Sequence, residues 1–226
     1  MIRGLPAQPD RYDIERRRLL DLSIEEVAAN AGASLIEKQS NTEYRLSIPL
    51  FSHTGILTMP DGKVESPGGE PVAYPMNLFL LSYLCTCPRE GPTGRWVDYG
   101  SLPDGMFISA KLPSSFRALG ERFGVGDSSL QEFRKICLSL GGVKSFYGDA
   151  SFIIRVFPKI SVLVIIHVGD DEFAPHAKIV VDEGTTNFLN IEFTISLLGE
   201  IARSLIRLGG NAPSSSSKPR GSTDNG

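Results

Sequence analysis

The segment between residues 150 and 182 constrains the fold of this chain more than any other. Between residues 152 and 157, apolar side chains recur at every second position, which is the period of a strand with one buried face. Pro158-Lys159 can form a tight turn, and the run 160–168 after it is almost continuously apolar. A third apolar stretch, 177–182, follows a short loop. This pattern predicts an antiparallel meander whose central strand is covered on both faces.

A second β region is predicted nearer the N-terminus, between about residues 43 and 66. Tyr44, Leu46, Ile48 and Leu50 occupy alternate positions, as in a half-buried strand. Asp61-Gly62 is a turn signal that is typical of hairpins. We therefore expect a small antiparallel hairpin here, separate in sequence from the meander.

Helical patterns surround both β regions. The sequence predicts five to six helices, which begin near residues 12, 23, 75, 114, 127 and 190. In the second, Ser23 and Glu26 have the spacing of a capping box, and Gly32 stands at the usual end position. The third is apolar on every side, so it should be buried; the last is capped by Asn190. Because helices and strands are segregated along the chain, the expected fold class is α+β, with an antiparallel sheet formed by the hairpin and the meander.

Composition is that of a folded globular protein. The chain has 226 residues, of which 41% are hydrophobic and 22% charged, so it can bury a core without disulfides. Its 23 basic and 26 acidic residues give a net charge of −3, which leaves no basic excess for nucleic-acid phosphates. The stretch 211–226 is rich in Ser, Pro, Gly and Asn. We predict one α+β domain over 1–210 and a disordered tail over 211–226.

The cysteines and the apolar runs indicate a cytoplasmic protein. There are three cysteines, and Cys85 and Cys87 are too close for an easy disulfide. Structural zinc sites need wider spacing and a second pair, so we interpret these two thiols as incidental and expect no metal site there. No run approaches the roughly 18 apolar residues of a membrane helix, so we expect no membrane partner.

Acidic residues follow the predicted central strand. Asp170, Asp171 and Glu172 come directly after Gly169, where their carboxylates can ligate a hard cation or act as acid and base. The alternative is a charged turn between two strands, with Phe173 tucked back into the core. The spacing is not that of a calcium loop. Within this turn, Asp170 is the better candidate for accepting a hydrogen bond from a backbone N–H.

A second group of candidate residues lies in the long Pro- and Gly-rich segment 88–113, which the sequence indicates to be a loop or loose coil. It contains Arg95, Trp96 and Asp98. The lone tryptophan beside an arginine can stack on a ligand or partner, or it can plug the loop onto the core. The sequence contains no nucleophile elbow, phosphate-binding loop or dinucleotide fingerprint.

Several short motifs recur in an order that resembles a known family. They are Leu-Leu-Ser-Tyr-Leu at 80–84, Gly-Arg-Trp-Val at 94–97, Leu-Pro-Asp-Gly at 102–105, Leu-Gly-Gly at 140–142, Gly-Asp-Ala at 148–150 and Gly-Asp-Asp-Glu-Phe at 169–173. Over roughly residues 20–208 the chain resembles the family called domain of unknown function 3786. The resemblance implies no established activity. It associates the chain with anaerobic bacteria and archaea, where some members carry an added four-cysteine iron–sulfur segment like that of corrinoid/iron–sulfur proteins of one-carbon metabolism.

This chain has no such four-cysteine segment, so the resemblance implies no cluster here. Two hypotheses for its function follow. The first is a non-catalytic binding or accessory protein, possessing a pocket or surface built from 88–113 and 169–173 that takes a small molecule or a protein. The second is a metal-assisted enzyme that uses Asp170, Asp171 and Glu172. The sequence identifies no cofactor.

Overall fold

The computed structural model describes residues 10–108 and 112–210, which form two antiparallel sheets and seven α-helices. The helices are α1 Arg11–Leu20, α2 Ile24–Ala31, α3 Met76–Thr86, α4 Gly105–Ile108, α5 Leu112–Phe123, α6 Asp127–Ser139 and α7 Ile191–Gly210. The strands are β1 Ser34–Lys38, β2 Tyr44–Leu50, β3 His53–Met59, β4 Lys63–Glu65, β5 Trp96–Asp98, β6 Val143–Lys144, β7 Ala150–Phe157, β8 Ile160–His167 and β9 His176–Asp182. The α+β class is confirmed, and the predicted tail 211–226 lies outside the described residues.

The first sheet has the order β1-β2-β3-β4, and the predicted hairpin forms its centre. Tyr44 lies opposite Met59 and Leu50 opposite His53, so the alternating apolar residues of β2 face the core. The sequence did not predict β1. All of its side chains are exposed, so it carries no alternation of apolar and polar positions from which a strand can be inferred.

The second sheet has the order β5-β9-β8-β7-β6. Its three long strands are the predicted meander, and Pro158-Lys159 forms the turn between the first two. Two short strands flank them. β5 comes from the segment 88–113, where the sequence indicated a loop, and it pairs with the end of β9. At three and two residues, β5 and β6 are too short to show a period.

One face of the second sheet packs on helices. α5 lies against β9 and α6 against β7, while α7 packs on both of these helices. The resulting buried cluster also contains side chains of the first sheet and of α1, α2 and α3, so a single apolar core joins the two sheets. The backbone adds a direct link, since Phe51 N donates to Val156 O at 3.1 Å. As predicted, α3 is buried almost throughout.

The opposite face of the second sheet carries a smaller apolar cluster made of sheet residues only. Leu163, Ile165 and Val180 are buried there, with Trp96 and Ile153 packed at their margins. Across the strands, Val143, Ile153, Leu163 and Val180 are direct neighbours in register. One face of the central strand β8 is therefore covered by helices. On its other face, the apolar side chains of β8 pack against those of the neighbouring strands.

Two predicted helix ends are confirmed and one is wrong, and α4 was not predicted, because it lies in the segment 88–113 where the sequence indicated a loop. Asn190 Oδ1 accepts from Phe193 N at 2.9 Å, and Gly32 ends α2 with a φ of 66°. The capping box at Ser23 is wrong, because this side chain forms no cap hydrogen bond, and its hydroxyl donates to Glu25 Oε2 at 3.5 Å instead. No helix in 10–108 or 112–210 is long and apolar enough to cross a membrane.

Candidate functional site

The acidic turn between β8 and β9 is held together by Asp170. Its Oδ1 accepts hydrogen bonds from Glu172 N at 2.9 Å and Phe173 N at 2.7 Å, and its own N–H donates to Phe173 O at 2.9 Å. These backbone donors lower the pKa of Asp170, because they favour the ionised carboxylate. The turn is anchored next to the C-terminal end of α5 by Gly169 N, which donates to Gly124 O at 2.9 Å. Asp170 thus has the hydrogen-bonding role expected from its position.

The rest of the turn faces solvent. Asp171 and Glu172 are exposed, and the idea that Phe173 tucks into the core is wrong, since 67% of its surface is exposed. Within the described residues, no three His, Cys, Asp or Glu side chains are grouped so that they could hold a metal ion. The geometry of this segment is that of a solvated, self-bonded turn.

The other candidate residues lie on or beside β5. Arg95 forms an exposed ion pair with Glu183 at 3.1 Å. Trp96 packs against the small cluster on the outer sheet face, so its indole holds the segment 88–113 against the sheet. Asp98 accepts from Gly100 N at 2.9 Å and pairs with Lys178 at 3.2 Å. Each of these side chains has a partner that explains its position structurally.

Two buried or half-buried groups that the sequence did not single out fasten the segment 88–113. Asp182, at the end of β9, accepts from Thr93 N at 2.9 Å, Gly94 N at 2.6 Å and Gly184 N at 2.8 Å. Lys159 donates to three successive carbonyl oxygens, those of residues 88–90, at 2.5 to 3.0 Å. A lone Asp at a strand end and a lone Lys in a turn carry no motif, so nothing in the sequence pointed to these contacts.

The two predicted halves of the site do not meet. Trp96 lies opposite Asp182, whereas the acidic turn leads into His176 at the other end of β9. Six residues of strand separate these points, or about 20 Å. Asp98, opposite Val180, lies between them. Arg95 and Trp96 are therefore distant from Asp170, Asp171 and Glu172.

A cleft of about 420 Å³ opens beside the start of β9. Its walls come from the 3-10 turn after β5, from α5 and from the segment leading into β9, and its lining residues are Tyr99, Phe116, Arg117, Glu121, Ala174, Pro175, His176 and Ala177. The rings of Tyr99 and Phe116 pack edge to face with centroids 5.8 Å apart. Burial, and secondarily the neighbouring carboxylate of Asp98, raise the pKa of Tyr99, so the phenol is neutral at physiological pH.

The position of this cleft depends on a close helix–strand contact. A Cβ at Gly120 would lie 2.6 Å from His176 Cα, and one at Gly124 would lie 2.7 Å from His167 O. The backbone of α5 therefore packs directly on the ends of β8 and β9. One turn before Gly120, Phe116 and Arg117 reach the cleft. The cleft could not be predicted from any one stretch of sequence, because its walls come from three distant segments.

Two histidines stack beside the cleft. His167 and His176 lie opposite each other on β8 and β9, with ring centroids 4.3 Å apart and an interplanar angle of 11°. Burial, followed by repulsion from His176, lowers the pKa of His167, and the carboxylate of Asp149 offsets part of this. The His167 imidazole is therefore mostly neutral at pH 7.

Comparisons with known proteins give one match. A protein-family model described as Domain of unknown function (DUF3786) matches residues 23–204. No curated protein matches the chain, and no solved structure does.

Proposed function

Since the chain belongs to the family described as Domain of unknown function (DUF3786), whose description states no activity, we propose a function from geometry: the protein is a non-catalytic binding or accessory module. Its ligand occupies the cleft between Tyr99, Phe116 and the start of β9. The observation that carries this proposal is the cleft itself. Of the two regions from which the sequence predicted a binding surface, only 88–113 contributes to the lining, through Tyr99, while residues 174–177 follow the predicted segment 169–173 rather than belonging to it.

The lining of the cleft supports this function. Aromatic and aliphatic groups form most of the lining, and Arg117 and Glu121 supply polar groups that can orient a ligand. That combination, and a volume of about 420 Å³, are typical of sites that take a small molecule or a single large side chain. α5 and β9 are regular elements in direct contact at Gly120, so the cleft is preformed.

The contacts of the acidic turn favour binding over metal-assisted catalysis. The Asp170 carboxylate accepts from two backbone N–H groups, Asp171 and Glu172 are exposed, and within the described residues these three side chains do not form a group that could hold a metal ion. No contact among the described residues favours the enzyme hypothesis.

We infer a cytoplasmic setting, with the family resemblance pointing to anaerobic one-carbon or iron–sulfur metabolism. Support for a reducing compartment comes from Cys85, Cys87 and Cys137, which are all buried and unpaired. Burial raises the pKa of the Cys85 thiol to about 12, so this group is protonated and unreactive.

Backbone-amide NMR of the full chain tests the cleft with two probes, N-acetyl-phenylalaninamide and N-acetyl-leucinamide. We expect shifts at the residues that line the cleft. Ala174→Trp should abolish them, because Ala174 is exposed and lines the cleft, so an indole there fills the space without entering the core. Ala73→Trp, at an exposed alanine outside the lining, is the matched control and should bind as the wild type does. Shifts that are absent at millimolar probe, or that persist in Ala174→Trp, would refute the proposal.

A further inference from the structure

Strand β9 has a partner along its whole length on one side only. β8 pairs with it from His176 to Val181. On the other side, β5 pairs only with residues 180–182, because the chain turns away at Tyr99 into a 3-10 turn. Within 10–108 and 112–210, no strand continues β5 alongside His176–Ile179. This side of β9 is an open sheet edge, about 13 Å long.

The alternation of an antiparallel ladder determines which backbone groups face that edge. Glu183 N donates to Arg95 O at 2.8 Å, so the N–H and C=O of odd-numbered residues point to the β5 side. By the same alternation, Ala177 presents its N–H and C=O to the open edge, and Ile179 its N–H. No hydrogen bond from the described residues reaches the backbone of Ala177 on this side.

The open edge of β9 forms one side of the cleft. Ala177 and the three residues before it line the cleft, together with Tyr99 and Phe116. An extended chain laid beside β9 would place a side chain into this space while its own backbone meets Ala177. Side chains of a strand point alternately to opposite faces, so one in every two residues would enter.

We propose that the partner is an extended peptide segment of another protein, which adds as a short strand beside β9 and inserts an apolar side chain into the cleft, against the paired rings of Tyr99 and Phe116. This inference rests on the proposed function and specifies its ligand class. Only a peptide backbone supplies an acceptor and a donor spaced to meet the N–H and C=O of one strand residue. Pro175 lacks an N–H, so the edge offers few hydrogen bonds and suits a short, reversibly bound segment.

The test begins with a phage-displayed library of random ten-residue peptides selected on the full chain. Affinities of the synthetic winners are then measured by calorimetry. Ala177→Pro removes the outward N–H, while the ladder to β8 uses the even-numbered residues and stays intact. We expect this variant to bind about tenfold more weakly or worse. Ala177→Ser keeps the N–H and is the matched control, which should bind as the wild type does.

A second arm changes the peptide instead of the protein. N-methylation at alternate peptide residues should abolish binding in one register and leave it nearly unchanged in the other, because only every second N–H faces β9. This arm decides the question if circular dichroism shows that Ala177→Pro fails to fold.

Several outcomes would overturn strand addition while the proposed function stands. In the first, capped amino acids still shift the NMR signals of the cleft residues, but the peptides bind Ala177→Pro as tightly as the wild type. In the second, capped amino acids still shift these signals, but the library yields no peptide that binds the cleft. A wild-type dimer that Ala177→Pro dissociates would identify a second copy of this chain as the occupant, which also refutes the proposal. If neither capped amino acids nor peptides perturb the cleft, the proposed function fails with it.

Discussion

The two ends of strand β9 hold aspartates in contrasting ways. At one end, Asp182 is buried and its carboxylate accepts three backbone N–H groups from two segments of the chain. At the other end, Asp170 is exposed and bonds only within its own turn. The first end is closed by β5, and the second is open beside a cleft. The difference indicates that one end holds the segment 88–113 in place, while the other leaves the edge of β9 open, as the proposed function requires.

The largest expected effect is at the closed end. Asp182→Ala removes a buried carboxylate that accepts from the N–H groups of Thr93, Gly94 and Gly184, of which the last is buried, and should reduce the free energy of unfolding by about 3 kcal/mol. Urea denaturation of the full chain measures it. Asp171→Ala, at an exposed position, is the control and should stay within about 0.5 kcal/mol of wild type. If both variants lose the same free energy of unfolding, the two ends of β9 do not differ in their contribution to stability.

A smaller loss of stability is expected at Lys159, the second residue that holds the segment 88–113 in place. Lys159→Met keeps the aliphatic part of the side chain and removes the ammonium group that binds the carbonyls of residues 88–90. It should lower the free energy of unfolding by about 1 kcal/mol, because these carbonyls are partly accessible to water. Hydrogen exchange should show faster opening of 88–95 in this variant. Unchanged exchange there would indicate that Asp182 alone holds the segment.

At the open end, substitutions of Asp170 and Asp171 in the acidic turn should differ in their effect on stability. Asp170→Asn removes the charge that two backbone N–H groups favour, so its denaturation midpoint should fall below that of Asp171→Asn. The pKa of Asp170 is lowered in the folded state, so its contribution is present above the unfolded pKa and is lost as pH falls through the folded pKa. The difference between the two variants should therefore vanish in acid. Two identical midpoints at pH 7 would contradict this role of Asp170.

The smallest effect concerns His167. Its pKa is lowered in the folded state, so the unfolded chain takes up the proton first, and stability falls as pH drops below the ordinary pKa of a histidine. His167→Gln should flatten the dependence of the melting temperature on pH between about 7 and 5. His53→Gln is a comparison at an exposed histidine in the other sheet. A slope unchanged in His167→Gln would exclude this contribution.

Much of the fold was predictable because burial repeats along the chain. The alternation in β2 and β7 and the apolar run of β8 correspond to strands, and the all-round apolar pattern of α3 to a buried helix. β1 and β5 were missed for physical reasons: the first buries no side chain, and the second is three residues long and is stabilised by its pairing with β9 rather than by local pattern.

The candidate site was less predictable, since it depends on register. Nothing local to Trp96 indicates that it lies opposite Asp182, and this pairing places it about 20 Å from the start of β9, the end into which the acidic turn leads. Tyr99 stands beside the predicted Asp98, but its role as a wall arises from contact with Phe116 on α5. A cleft assembled from three segments has no signature in any one of them.

The close packing at Gly120 has an evolutionary consequence. Any larger residue there would push α5 off β9, so this position is expected to change little among relatives that keep the fold. Arg117 and Ala174 line the cleft and are exposed, so they can vary in size and polarity without disturbing the core. Relatives with different ligand preferences should therefore diverge at these two positions around an invariant glycine.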